Sequence, residues 1–391
     1  MKPINFCISI IYLSIIALLS QSCDNQKKEQ TGTTIIEVLD VETISHLDSV
    51  FSTVSFLPLD TQDDYLITRI ANLKIQDSLI YINDDYKRLL VFDLHGKFIR
   101  QIGVRGQGPG EYLEMRDWII NNNQIEILDY KRILTYTLDG EYLKAKRFNL
   151  MTDSTYCNAM SFTHTPLGGY YLWGGTLLST DYSKPDRYLM YEVDEEIKIR
   201  KGHFPIKHGA GEAFRRFSYY QDVTVIDPIF GDYNIYQVNK MGAIEPRYLF
   251  DFGEHAYTNE IPTPKSGQKG PKASTKDFDD SVTTLHNFLE TDACIHMNFR
   301  FKNLSLSVLV NKANAESYIL SPNKAQKDEF RFWGALCAYN DQLVYPIDAW
   351  WFTDECKRLS PAYRKKLDIE DYKTRVDESD NPVLVFYKLK K

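Results

Sequence analysis

The chain has 391 residues, 43% hydrophobic and 13% aromatic, with 46 Lys and Arg against 53 Asp and Glu for a net charge of −7. That length can bury a large core without covalent staples. The mildly acidic balance argues against nonspecific binding of nucleic acid through bulk charge, so no nucleic-acid partner is expected.

Met1-Lys2 opens the chain and an apolar run follows from Ile4 to Leu19. A bilayer span needs ~20 apolar residues, so this shorter run reads as a secretory signal over residues 1–22. It ends in Ser20-Gln21-Ser22, whose small serines fit a signal peptidase, and Cys23 follows at once. A cysteine there is the acceptor for a diacylglyceryl group, which makes Cys23 the expected lipidation site and a membrane the expected partner. The box is imperfect, because its favoured leucine stands four places before the cysteine (Leu19) instead of three. Each buried CH₂ contributes about 0.8 kcal/mol, so two or more acyl chains hold a protein durably. Residues 23–33 then read as lipidated cysteine and flexible polar tether. Loss of residues 1–22 removes Lys2 and leaves a charge of −8.

Two segments further on align in register. Residues 85–96 read DYKRLLVFDLHG and residues 129–140 read DYKRILTYTLDG, a spacing of 44. Ile80-Tyr81-Ile82 and Ile125-Glu126-Ile127 precede the shared block, offset by one residue. Each unit reads strand, short turn, strand, tight turn, strand, with third strands at Lys97–Ile102 and Glu141–Phe148. His95-Gly96 and Asp139-Gly140 stand where a hairpin needs positive φ, which glycine adopts without steric cost. A period near 44 with short β-branched and aromatic strands is the signature of a propeller blade. Helical repeats would space apolar residues by three and four instead.

Weaker units follow. A third covers Ser161–Ile206, with strands at 168–173 and Tyr188–Val193. A fourth covers Phe217–Phe252, with Val223–Ile226 and Tyr233–Val238. A fifth covers Phe288–Leu320, with Ala293–Phe299 and Leu306–Val310. A sixth starts near Phe332, includes Gln342–Pro346 and ends on Val383–Leu389. The expected fold over residues 34–391 is all-β, a propeller of six four-stranded blades, with seven left open by the degenerate units. Ring closure calls for an N-terminal strand, Thr34–Val38 or Ser55–Leu59, beside Val383–Leu389, which removes exposed edges. A Pro-, Gly-, Lys- and Ser-rich stretch at about 258–277 reads as a loop insertion. Helix formers at about 354–374 predict a short helix on the last blade.

Leu79–Asp84, Leu90-Val91-Phe92-Asp93 with Gly96, and the Gly103-x-x-Gly106-x-Gly108-Pro109-Gly110-Glu111-Tyr112 loop resemble an NHL repeat. With Pro58-Leu59-Asp60-Thr61 and the closing Asn381–Val385, the order of motifs is similar to six-bladed β-propeller lipoproteins of bacterial envelopes. The resemblance implies a fold and a location, periplasmic or on the surface face of the outer membrane. It implies little chemistry.

Candidate sites are few. The Gly103–Glu111 loop lacks the Gly-Lys-Ser/Thr and following helix of a phosphate cradle, so it reads as a blade-to-blade crossover. Crossovers border the funnel, which makes Arg105, Gln107, Glu111 and Tyr112 candidate ligand-binding residues. Asp85/Arg88 and Asp129/Arg132 repeat with the blades, and repetition argues for turn hydrogen bonds. His203 and His208 read as solvent-exposed, and His296 as a core or sheet-face residue. Cys157, Cys294, Cys337 and Cys356 are few and far apart, and read as buried free thiols, although export permits pairing. No Cys-x-x-Cys, His-Glu-x-x-His or Gly-x-Ser-x-Gly is present, so zinc, thioredoxin-type and Ser-His-Asp chemistry lack support.

The expected function is a non-enzymatic ligand-binding or protein-interaction propeller, without catalytic residues, metal or cofactor. One alternative is a metal-assisted hydrolase or lyase of the lactonase kind, with calcium held by Asp84, Asp129 and Asp227 at strand ends. Another is capture of a glycan or peptide for a transporter, with Trp173, Trp333, Trp350 and Trp351 as stacking surfaces for sugar rings.

Overall fold

The in-register repeat folds into two successive four-stranded antiparallel sheets, and the weaker units build four more around the same axis. A computed structural model describes residues 32–148, 159–174, 188–205, 217–229, 231–257, 280–324 and 328–390. The signal, Cys23, the tether, Cys157, His208 and the 258–277 insertion lie outside the described residues.

β1 (Thr34–Glu37), the one-turn helix α1 (Leu47–Val50) and β2 (Phe51–Pro58) come first. Blade 1 is β3 (Ile70–Gln76), β4 (Leu79–Asp84), β5 (Leu89–Asp93) and β6 (Phe98–Ile102). The crossover after it carries two-residue strands, β7 (Val104–Arg105) and β8 (Glu111–Tyr112), paired in parallel. Blade 2 is β9 (Met115–Asn121), β10 (Gln124–Asp129), β11 (Arg132–Thr137) and β12 (Tyr142–Arg147). Blade 3 is β13 (Ser161–His164), β14 (Tyr170–Trp173), β15 (Tyr188–Val193) and β16 (Ile199–Pro205). Blade 4 is β17 (Phe217–Tyr220), β18 (Val223–Ile226), β19 (Asn234–Val238) and β20 (Ile244–Asp251). Blade 5 is β21 (Thr283–Glu290), β22 (Cys294–Phe301), β23 (Leu304–Asn311) and β24 (Ser317–Leu320). Blade 6 is β25 (Cys337–Tyr339), β26 (Gln342–Ile347) and β27 (Val383–Leu389), completed by β2. Gly96 and Gly140 take φ of 80° and 92° in the hairpins where the repeat places them.

Side chains that alternate along a strand face opposite neighbours, so a blade packed on both sides reads as an unbroken apolar run. In blade 1, Ile80, Ile82, Leu90 and Phe92 pack with Val344 and Leu384 of blade 6. The interleaved Tyr81, Leu89 and Val91 pack with Trp118, Ile125 and Ile127 of blade 2. Each of the other four gaps is filled in the same manner. The gap between blades 6 and 1 is packed like the rest.

Of the two closing strands considered, the second takes the place beside the C-terminus. β2 pairs antiparallel with β27, Val54 opposite Tyr387 and Phe56 opposite Val385. The first does something else. β1 adds to β20 as a fifth strand of blade 4. From there Val38 N donates to Asp251 O at 2.8 Å, and Ser45 N to Ile319 O of blade 5 at 2.7 Å. Ile36, Val38 and Val41 are buried in the blade 4–5 gap, Leu47 and Val50 in the blade 5–6 gap. The N-terminal segment is thus a strap across the outer edges of three blades.

The helical region begins earlier than its composition indicates and is broken into three: α2 (Ala349–Arg358), α3 (Pro361–Lys366) and α4 (Tyr372–Arg375). Ser360 ends the first and caps the second, accepting from Tyr363 N at 3.2 Å, with Pro361 at the first helical position. Glu355 is buried between Arg331 and Arg358, each at 2.8 Å. No helix among the described residues is long and apolar enough to cross a membrane.

Candidate functional site

Asp-Tyr-Lys-Arg sits at the turn between the second and third strands of blades 1 and 2, and in both its arginine pairs with a buried aspartate. Asp84 is fully buried and accepts from Arg88 N at 2.9 Å, Arg88 Nε at 2.9 Å and Arg88 Nη2 at 2.6 Å. Arg88 Nη2 also donates to Leu66 O at 2.6 Å, in the crossover entering blade 1. One blade on, Asp129 is 1% exposed and accepts from Arg132 Nε at 2.7 Å, while Arg132 Nη2 donates to Glu111 O at 2.8 Å. Asp129 further accepts from the amides of Leu113, Glu114 and Tyr130 at 3.2, 3.0 and 2.9 Å. Each buried carboxylate and its arginine therefore fasten a turn to the preceding crossover. In blade 1 the buried partner of Arg88 is Asp84, one place ahead of the repeated block, and Asp85 pairs instead with Arg69 at 2.9 Å. Asp84 and Asp129, two of the residues considered for calcium, are occupied by these arginines. Asp227 is buried and also engaged. Among the described residues no group of three His, Cys, Asp or Glu is placed to hold a metal ion.

The clamps leave the middle residues of the motif outside. Tyr86 is 58% exposed and Tyr130 41%. Between blades 1 and 2 lies an open pocket of about 660 Å³, lined by Lys87, Arg105, Gly106, Gln107, Leu113, Glu114 and Tyr130. Arg105 and Gln107, two of the sequence candidates, line it. Glu111 and Tyr112 do not. The Glu111 carboxylate folds back under its own loop and accepts from Gly108 N at 2.7 Å. A Cβ on Gly106 would collide with that carboxylate, so glycine is what allows the fold-back. Tyr112 is buried between the blades, where desolvation raises its phenol pKa. Two-residue strands give no alternating pattern to betray which side chain faces inward.

The pocket holds an uneven set of charges. Glu114 pairs with Arg116 at 3.5 Å, and Arg116 lies 4.6 Å from the Tyr130 ring centroid. Among the described residues, Lys87, held at φ 61°, and Arg105 make no side-chain hydrogen bond or ion pair, and neither does Gln107. In an acidic protein this is a local excess of positive charge.

Side chains also span the ring axis. Lys74 of blade 1 donates to Trp118 O of blade 2 at 2.9 Å and lies 5.8 Å from the ring of Tyr219 in blade 4, on the opposite side. Tyr219 in turn meets Thr163 of blade 3 at 2.8 Å. Asp117, next to Trp118, accepts from Ser161 Oγ at 2.6 Å and Phe162 N at 3.0 Å. Its burial raises the carboxyl pKa, against the opposing pull of Lys74 and these hydrogen bonds.

The remaining candidates fall mainly into the core. Trp173 is 1% exposed in the blade 3–4 gap. Trp333 and Trp351 pack on each other with centroids 4.3 Å apart, and Trp350 beside them is 52% exposed. His203 is not a solvent-exposed residue: it lies on β16, largely buried, 3.3 Å from Glu192, and desolvation lowers its pKa. His296 is fully buried, neither ring nitrogen makes a hydrogen bond of good geometry among the described residues, and desolvation pushes its pKa down to about 3 against a weaker opposing pull from Asn287 and Asn298. Cys294, Cys337 and Cys356 are buried, and burial raises the pKa of the Cys294 thiol to about 11 and of the Cys356 thiol to about 12.

Five four-stranded sheets and a sixth with β1 added to its four, six packed gaps and a C-terminal sheet completed from the N-terminus define a six-bladed β-propeller. The chain belongs to the family described as a domain of unknown function (DUF4934), which matches residues 33–388. It is similar in fold to a crystallised Bacteroides fragilis protein inferred to be exported, at 21% identity and a TM-score of 0.71, covering 92% of this chain and 100% of that one. A Bacteroides caccae protein of unknown function matches at 8% identity and a TM-score of 0.38, covering 64% of this chain and 81% of that one. The extracellular domain of a Bacteroides thetaiotaomicron one-component system matches at 11% and 0.32, covering 72% and 30%. No curated protein matches the chain.

Proposed function

We propose that the protein is a non-enzymatic, ligand-binding propeller of the cell envelope, held on a membrane by lipid at Cys23, with its ligand in the pocket between blades 1 and 2. One observation carries the site. The loop pinned by Glu111 and by the Asp129–Arg132 clamp holds out Arg105 and Gln107, and the blade 1 turn held by Asp84–Arg88 adds Lys87; these three side chains bond to nothing else among the described residues. Convergent polar groups around an apolar wall on a rigid frame are the usual makings of a ligand site. The signal-like run Ile4–Leu19 and the likeness to a protein inferred to be exported support a location in the envelope. The ligand is then a protein, peptide or glycan met outside the cytoplasm. The calcium-dependent, lactonase-like alternative draws less support, because Asp84 and Asp129 are taken by arginines.

A thermal-shift screen of the full chain against oligosaccharides and peptides tests the binding reading. A bound ligand raises the melting temperature by mass action, and the expected rise is lost in Arg105→Gln. No shift at millimolar ligand, or a shift that survives the substitution, counts against the site. Fatty-acid labelling is expected in the wild type and absent from Cys23→Ala. A fall in melting temperature on adding EDTA would favour the metal-dependent alternative.

A further inference from the structure

The geometry points to an acidic saccharide as the occupant of the blade 1–2 pocket, with its anionic group between Lys87 and Arg105 and its ring against Tyr130. This rests on the reading of that pocket as the ligand site and names the chemistry it would take. The charge comes first. Lys87 and Arg105 line one cavity without a partner among the described residues, and the one carboxylate that lines it with them, Glu114, is already paired with Arg116. Glu111, the acidic residue of the same loop, is turned away to the Gly108 amide. Two cations left without acceptors favour a bound anion, and arginine suits a planar carboxylate or a sulfate through paired N–H donors.

The walls supply the rest. Leu113 and Tyr130 form a partly exposed apolar side, and Arg116 backs the Tyr130 ring. An aromatic face beside a free amide, here Gln107, suits a ring with an apolar face and hydroxyl edges. An extended peptide is a poorer fit. The strands that border the pocket, β7 and β8, have two residues each, too short to template a main-chain ladder. The volume of about 660 Å³ suits one or two sugar rings.

Calorimetric titration of the full chain with trigalacturonate, maltotriose and hexaglutamate tests this. Trigalacturonate is expected to bind, more weakly as salt is raised, and maltotriose at least about tenfold more weakly. Lys87→Gln and Arg105→Gln are each expected to weaken trigalacturonate about tenfold, the usual worth of one charge-assisted hydrogen bond. Maltotriose binding as tightly, hexaglutamate binding in place of trigalacturonate, or no binding of trigalacturonate at millimolar concentration each overturns the inference. The variants separate this failure from failure of the site itself. If Tyr130→Ala abolishes binding while the two cation variants leave it unchanged, the pocket stands and the acidic ligand falls. If all three variants bind as the wild type does, both fall.

Discussion

Blades 1 and 2 and blades 4 to 6 are built from the same four-stranded unit but are fastened differently. In the first pair a buried aspartate and an arginine within a few residues of it fix each turn to the crossover before it. In the second group the N-terminal segment runs along the outside, adding a strand to blade 4, a hydrogen bond to blade 5 and the closing strand to blade 6. The two clamped blades carry no outer strap among the described residues. Where the sequence repeat has decayed, distant chain supplies the restraint. The consequence is that the two halves of the ring should respond to different substitutions.

The strap offers the largest effect. Truncating Ile36, Val38 and Val41 to alanine together removes three buried side chains from the blade 4–5 gap. The expected loss is about 4–8 kcal/mol, comparable with a domain's whole stability. Native-state hydrogen exchange should then show β20 and β24 opening well before β5 and β11. Uniform loss of protection around the ring would mean that the strap serves the whole propeller, and the contrast drawn above would fail.

The clamp comes next. Asp129→Ala strands Arg132 and leaves the amides of Leu113, Glu114 and Tyr130 without their acceptor. Removing one partner of a buried pair costs about 3–5 kcal/mol. Asp84→Ala, which releases only one such amide besides its arginine, should cost less when both are measured by urea denaturation. Equal costs would show that the extra amides at Asp129 add nothing.

These two fastenings differ as much in legibility as in mechanism. The clamp could be read from the chain only in part. Its arginines recur 44 residues apart and its partners lie within four residues, which found Asp129–Arg132, but in blade 1 the repeat points to Asp85 whereas the buried partner is Asp84, one place earlier. Hairpin glycines could be read for the same reason, since positive φ is a local demand. The strap could not. Thr34–Glu37 looks like a strand, but nothing near it in sequence indicates that its partner is β20, more than 200 residues away. Of the loop candidates, Arg105 and Gln107 fell on the pocket, whereas Glu111 and Tyr112 turned inward. Lys87 and Tyr130, which line the same pocket, were present in the repeat but read there only as parts of a turn. The signal that could have found them is the split role within Asp-Tyr-Lys-Arg, where the arginine is structural and the tyrosine before it is exposed.

A third test concerns His296, in the strapped half. Its pKa of about 3 in the folded protein lies below the unfolded value of about 6.5. The unfolded chain therefore binds the extra proton between those values, and stability contributed by the neutral ring is lost as pH falls below about 6.5. Between pH 7 and pH 5 the loss should be about 2 kcal/mol. His296→Phe, which keeps a ring in a site beside Phe332, should flatten that slope. An unchanged slope would assign the acid sensitivity elsewhere.

The smallest effect on stability should fall at Gly106, and there the comparison bears on function. Any Cβ at this position collides with the Glu111 carboxylate that the loop folds over. In Gly106→Ala the carboxylate must leave the Gly108 amide and turn outward, toward the side where Arg105 and Lys87 stand. The loop is on the surface and the Asp129–Arg132 clamp beneath it is untouched, so the melting temperature should drop by little, about 1 kcal/mol or less in stability. An expelled carboxylate would however meet the two cations that have no other partner among the described residues. Ligand binding should then fall at least as far as in Arg105→Gln, although no side chain that contacts the ligand has been changed. Glu111→Gln in the Gly106→Ala background removes the competing charge and should restore part of the binding. If it does not, Gly106 matters for the shape of the pocket and the charge argument loses its support.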